Sequence, residues 1–306
     1  YPAAGQGYEE ALRLARALDY RWGEGTSQYE LGYVLRLQGA YSRAVPLVEK
    51  AVTIFAEIGE HGRQTSALIT LSQIYAYLGD AGAAEEWLTR YQQVSGQGKG
   101  WFENIHYLQA CTVLALHCGE AAQALAYATK GWQLAQNGYP PDTQAYALIG
   151  IGHAQRQVGA LAAAATAYQQ ALAHYNAIER PDLAAEAQAG LAALAHQQGD
   201  RPQALALVAV VLAQLAERPV AGVDEPFFLY LTCYQLLAAA NDARAATILH
   251  QGYALLQRYA EQITDERLRQ SFLTNVPVHR ALQQAYADFQ ANGPPAFEKE
   301  LTLQRD

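Results

Sequence analysis

Apolar residues recur along this chain at i, i+3, i+4 and i+7, the spacing that gathers them on one side of a helix. Period-two runs of the kind that mark strands are not found. The helical stretches come in pairs, and the pairs repeat. Gly39, Gly79, Gly119, Gly159 and Gly199 follow one another at intervals of 40 residues, and Asn241 takes the same place 42 residues on. Five residues after each stands a small one: Ala44, Ala84, Ala124, Ala164, Ala204 and Ala246. Eight before lies an apolar one: Leu31, Leu71, Cys111, Ile151, Leu191 and Cys233. The position after that is mostly small, with Gly32, Ser72, Thr112, Gly152 and Ala192, then the bulky Tyr234. Two antiparallel helices that cross closely need a small residue at the contact and large neighbours to fill the remaining volume. A glycine between them accepts the left-handed backbone that ends the first helix.

This spacing predicts six helix pairs, at 25–58, 64–95, 102–137, 142–178, 182–216 and 225–259. Tyr8 to Leu18, with Ala11 at the small position, reads as a second helix without its partner, so residues 1–24 are expected to be a truncated repeat. Asp265 to Gln290, interrupted by Pro277, predicts two capping helices within 260–291, as the last apolar face of an array must be covered. Gly293-Pro294-Pro295 marks 292–306 as a tail. The expected class is all-α, a solenoid of antiparallel pairs.

The Leu31-Gly32 pair, the small residue early in each second helix and the aromatic Tyr75 resemble the tetratricopeptide repeat, from about Tyr8 to about Leu256. The resemblance implies a right-handed superhelix whose first helices line a concave face. Two departures stand out: the repeat is 40 residues long rather than 34, and the closing proline is mostly missing, although Pro181 and Pro219 lie near repeat ends. The segment from Asp265 to Arg280 resembles the closing segment of bacterial signal-transduction ATPases with numerous domains, which include regulators of the maltose-activator type. That second resemblance implies an inducer-binding sensor, with an ATPase domain upstream in the same chain.

With the first helices on the concave face, their phase selects the residues that point into the groove. These are Tyr29, Tyr33 and Arg36 in the first pair, Gln73 and Tyr77 in the next, and His106, Gln109 and His117 in the third. Tyr146, His153 and Arg156 follow, then Glu186 and His196, and finally Gln235. The set is poor in Lys and Asp and rich in flat side chains with a polar tip, which bury area at low entropic cost. A lining that merely bonds to itself would look similar. Arg36 and Arg156 suit a carboxylate or phosphate by a two-pronged hydrogen bond, or else a plain salt bridge. The tryptophans Trp22, Trp87, Trp101 and Trp132 are expected to wedge between repeats.

Charge and chemistry narrow the function further. The net charge is −8 and the 4 Lys and 17 Arg are scattered, so the clustered cations that displace phosphate counterions are missing and direct nucleic-acid binding is not expected. Three cysteines do not make a disulfide framework and suit a reduced, cytoplasmic setting. The longest apolar run, Ala204 to Ala213, is too short to cross a bilayer. There is no methionine, even at position 1, which suggests a piece of a longer protein. Gly96-Gln97-Gly98-Lys99-Gly100 lacks the hydroxyl residue of a phosphate-binding loop and reads as a connection between repeats. No catalytic or metal-binding motif is present, and no two of the histidines His106, His117, His153 and His196 share a helical turn. Neither enzyme chemistry, cofactor nor metal is therefore expected. The expected function is a sensor domain that binds a protein, peptide or small-molecule inducer in its groove; the alternative is a free-standing scaffold for other proteins.

Overall fold

The computed structural model describes residues 2–96, 101–180, 183–217 and 224–292. Within them the chain forms fifteen α-helices and no strand. Helix α1 (Pro2–Ala17) stands alone and begins earlier than the apolar pattern suggested. Six pairs follow: α2 (Arg21–Leu37) with α3 (Tyr41–Glu57), α4 (His61–Tyr77) with α5 (Ala81–Ser95), and α6 (Trp101–His117) with α7 (Ala121–Ala135). Next come α8 (Pro141–Gln157) with α9 (Leu161–Ala177), α10 (Ala185–Gln197) with α11 (Arg201–Glu217), and α12 (Pro226–Ala239) with α13 (Arg244–Glu261). Two further helices, the short α14 (Glu266–Thr274) and α15 (Pro277–Asn292), close the array. Most of the loop at 96–100, Pro181, Pro219 and the tail from residue 293 lie outside the described residues.

Each pair turns on a left-handed residue. Gly39 has φ +73°, and the Ala40 N–H reaches back to the Leu35 carbonyl at 2.9 Å, satisfying an acceptor that the helix end would leave open. The small positions are where the helices touch. Ala44, Ala84, Ala124 and Ala164 are fully buried, and a Cβ on Gly32 would stand 2.5 Å from Val48 Cγ2. The last pair departs from the spacing. Its connection runs over 240–243, one residue more than the turn after α2, and Ala245 and Leu249 are buried in place of Ala246 and His250. The tryptophans also differ from expectation. Trp22 is exposed beneath Arg63, Trp87 lies beneath Arg90 of its own helix, and Trp132 alone packs between core clusters. The Trp101 side chain lies outside the described residues.

The array does not stay open. Its C-terminal end returns to the turns of the first two pairs. The Tyr259 ring fills the space where Gly39 would carry a Cβ, and it meets Tyr41 edge-on at 6.4 Å. Ser42 Oγ accepts the Thr264 N–H at 3.0 Å, and the Asn275 amide donates to the Gly79 carbonyl at 3.1 Å. Arg36 pairs with Asp224 at 3.1 Å and Arg267 with Asp80 at 2.8 Å. Beneath these polar links, one apolar core runs from α2–α6 into α10–α15, with Phe272 fully buried against Tyr41 and Phe227. His279 belongs to the same cluster. It is buried between Phe227 and Phe272 and donates from Nδ1 to the Phe272 carbonyl at 2.7 Å. Burial drives its pKa down to about 3, against the pull of that carbonyl, so the imidazole is neutral. Apolar burial of this kind supplies most of the stability of a helical array, at about 25 cal/mol per Å² removed from water.

Candidate functional site

Closure converts the expected groove into a cavity of about 500 Å³, bounded by α4, α6, α7, α8, α10, α12 and α15. That size lies within the range that holds a compact ligand. Nine residues that the repeat phase points inward line it: Tyr77, Gln109, His117, Tyr146, His153, Arg156, Glu186, His196 and Gln235. Arg36 lies beyond Tyr77 in a narrow cleft with Asp224, its guanidinium 4.9 Å from the Tyr33 ring and 5.8 Å from the Tyr77 ring. Tyr29, Tyr33, Gln73 and His106 are not on the cavity wall. Tyr29 and Tyr33 pack ring against ring at 6.4 Å, and His106 bonds to Gln109 at 2.9 Å. Thus a phase common to all repeats does not give a common fate, because the first pair lies at the seam and the middle pairs enclose the space.

The polar groups of the wall are held in place. His153 Nε2 bonds to Glu186 Oε1 at 2.8 Å, and the Tyr168 hydroxyl bonds to His153 Nδ1 at 2.8 Å. Tyr168 comes from the second helix α9 and is fully buried. Its ring passes between Gly152 and Gly190, where an added Cβ would come within 2.4 Å of it in either case. Two helical glycines, unfavourable by propensity, are thus the seat of one tyrosine. Burial raises the Glu186 pKa, partly offset by His153 and reinforced by Glu225 and Asp224. His117 bridges α4 and α12 by bonding to the Ala76 carbonyl at 3.0 Å and to Glu225 at 2.9 Å. Burial works against the His117 charge, but the Glu225 carboxylate outweighs it and leaves the pKa raised. Burial likewise raises the hydroxyl pKa of Tyr77 and Tyr146, so both stay protonated donors.

Arg156 is different. Its guanidinium lies 5.3 Å over the Phe228 ring and beside Tyr168. It makes no ion pair among the described residues, and its Nε is buried without a hydrogen-bond partner. Among the described residues, no group of three or more His, Cys, Asp and Glu side chains is placed to hold a metal ion. No helix there is long and apolar enough to cross a membrane. All three cysteines are free; Cys111 and Cys233 are buried and Cys118 is exposed.

A family model for the tetratricopeptide repeat matches residues 23–95, the stretch that forms α2 to α5. Solved structures extend the likeness over nearly the whole chain. A Rap protein complexed with competence and sporulation factor superposes with a TM-score of 0.58 at 14% identity, covering 87% of this chain and 76% of its own. A signal transduction ATPase with numerous domains, with a tetratricopeptide repeat sensor, from Pyrococcus horikoshii gives 0.60 at 14% identity over 92% of this chain. The chain folds as a solenoid of the tetratricopeptide-repeat kind. It spans 44% of the length of that ATPase chain. Aspartyl phosphate phosphatase F from Bacillus subtilis gives 0.58 at 14% identity, over 94% of this solenoid and 77% of the phosphatase. At these identities the likeness is one of fold. No curated protein matches the solenoid by sequence.

Several wall residues escape the repeat phase. Glu225 lies just before α12, outside any periodic position, and Phe228 follows in its first turn. Pro277, Val278 and Ala281 come from α15, which the sequence assigns to capping. Only Tyr168 left a trace: it is the one aromatic at a position otherwise held by Val48, Leu88, Ala128, Val208 and His250, and it faces a glycine.

Proposed function

We propose that this solenoid is a sensor module that takes a ligand into its central cavity, with helix α15 coupling occupancy to closure of the seam. The observation that carries the reading is the position of α15. The same helix forms one wall of the cavity through Pro277, Val278 and Ala281 and follows closely on Asn275, which holds the Gly79 turn. A ligand that contacts this wall binds the closed arrangement better than an open one and so shifts the balance toward closure. In the finer form of the reading, the module reports to an ATPase domain of the same chain. The likeness of 265–280 to the closing segment of such ATPases and the fold likeness to the Pyrococcus horikoshii sensor support it. The reading is of a module that binds rather than reacts: the Tyr168 hydroxyl, which bonds to His153, is fully buried and out of reach of a substrate.

A scaffold that holds a protein segment is the second reading. It draws on Tyr33 and Trp22, which lie off the cavity and leave aromatic surface at the N-terminal end. One experiment separates the two. Compounds and short peptides are screened for a rise in melting temperature, the mass-action signature of a ligand bound only to the folded state. Ala193→Phe, which fills the cavity from its wall, is expected to abolish the rise. An equal rise in wild type and variant would place the ligand elsewhere and favour the scaffold.

A further inference from the structure

Arg36 and Arg156 hold the same repeat position, three repeats apart. Arg36 is neutralised by Asp224 at 3.1 Å. Both Nε atoms are buried without a hydrogen-bond partner, but Arg156 also makes no ion pair among the described residues, and it lines the cavity. A cation beside an apolar wall and without a carboxylate of its own is where an anionic ligand group gains most, as charge-assisted pairs are the strong ones. The guanidinium is already pinned, stacked on Phe228, with Tyr168 beside it locked to His153. A fixed planar fork of this kind loses little freedom on binding and matches a carboxylate in both spacing and plane.

The rest of the wall limits the charge of the guest. Glu186 and Glu225 also face the cavity, and Glu186 already resists ionisation through burial. A dianion such as a phosphate monoester would meet one unpaired cation and two carboxylates; a monoanion needs only the cation. Tyr146, Phe228, Leu231 and Ile149 supply flat and apolar surface on the wall, among neutral polar groups such as Gln109, Thr112 and Gln235.

We infer that the cavity takes a compact monocarboxylate, its anionic end forked by Arg156 and its apolar body against the ring-bearing wall. This rests on the reading of the cavity as the ligand site. The carboxylate belongs either to a free organic acid or to the C-terminus of a short peptide.

The probes are phenylacetate, phenylacetamide and phenyl phosphate, together with N-acetyl-Leu-Phe as its free acid and its C-terminal amide. Affinities are measured by calorimetry or ligand-observed NMR on the full chain as wild type, Arg156→Gln and Arg156→Lys. The expected result is that at least one acid binds wild type about tenfold or more tightly than its amide, as loss of a charge-assisted pair implies. Phenyl phosphate is expected to bind more weakly than phenylacetate. Arg156→Gln is expected to erase the preference for acid, and Arg156→Lys to restore only part of it. Preference for the peptide acid identifies the peptide source, and preference for phenylacetate the free acid. Equal binding of acid and amide by wild type would overturn the inference without recourse to any variant, as would an acid preference that survives Arg156→Gln. Neutral compounds that bind wild type and fail with Ala193→Phe, while no acid binds, would overturn the carboxylate assignment and leave the ligand-site reading standing. If Ala193→Phe changes no binding at all, the ligand-site reading falls, and the assignment falls with it.

Discussion

The seam and the middle of the array use the same repeat positions for opposite ends. At the seam, polar residues from the first pairs are consumed by the returning C-terminal end: Arg36 by Asp224, Ser42 by the Thr264 amide, the Gly79 carbonyl by Asn275. In the middle, inward residues of the first helices face a cavity and are held by their own neighbours, as His153 is by Tyr168 and Glu186. Arg156 is held only by a ring face and the neighbouring Tyr168. A repeat therefore specifies where a side chain points but not what it meets. What it meets depends on how far the array curls, and that is decided by residues 224–292.

The largest effect should come from cutting the seam at its apolar centre. Phe272→Ala removes a fully buried ring from contact with Tyr41, Phe227 and His279 and is expected to cost about 3–5 kcal/mol. Denaturant melts should show it, and hydrogen exchange should rise first in α14 and α15. If exchange in those helices is unchanged, the cap is not held by this cluster. In the middle of the array, Gly190→Ala places a methyl 2.4 Å from the Tyr168 ring, which has no room to withdraw because Gly152 borders it on the other side. Overpacking of this sort costs about 1–3 kcal/mol. It should also disturb the His153 imidazole, visible in its NMR resonances, while leaving α14 exchange untouched. A shared response in both regions would contradict the separation drawn here.

Acid should act on the seam through His279. Its folded pKa, near 3, lies below the unfolded value of about 6.5, so the unfolded state binds the proton more tightly. Its contribution is present above about pH 6.5 and is lost as pH falls toward 3. His279→Gln keeps a donor for the Phe272 carbonyl and is expected to flatten that acid limb of the stability curve. An unaltered slope would assign the acid sensitivity to other groups. The smallest effect is expected for Arg267→Ala. The side chain is 69% exposed, and pairs of this kind contribute little and are screened by salt. A large shift in melting temperature would mean that the seam rests on surface charge.

The helices and their turns are legible in the sequence because each depends on neighbours within one repeat. Gly39 and Ala44 can be read without knowing anything beyond the pair. The cavity wall is legible in part for the same reason: Tyr146, His153 and Glu186 lie on the inward phase of α8 and α10 and face inward in the structure. Tyr33 and Arg36 share that phase and do not reach the cavity, because ring closure places the first pair at the seam. Asp224, Glu225 and α15 carry no periodic signal at all. Their place depends on contacts made across nearly two hundred residues, as the Arg36–Asp224 pair shows with a separation of 188. The register of the final pair differs from the repeat: its buried positions, Ala245 and Leu249, come one residue earlier after the left-handed Asn241 than Ala44 and Val48 do after Gly39.

Closure is the claim on which the cavity and its proposed ligand depend, and disulfide trapping tests it most directly. Cysteines are placed at Ser42 and Thr264, where a side chain and a backbone amide now meet at 3.0 Å, in a Cys118→Ser background that removes the exposed native thiol. Mild oxidation of the dilute protein is expected to give an intramolecular bond in high yield, faster in the presence of a cavity ligand. Free thiols at both positions after oxidation, in a protein that melts like wild type, would show that the two ends of the solenoid stand apart and that the cavity is an open groove.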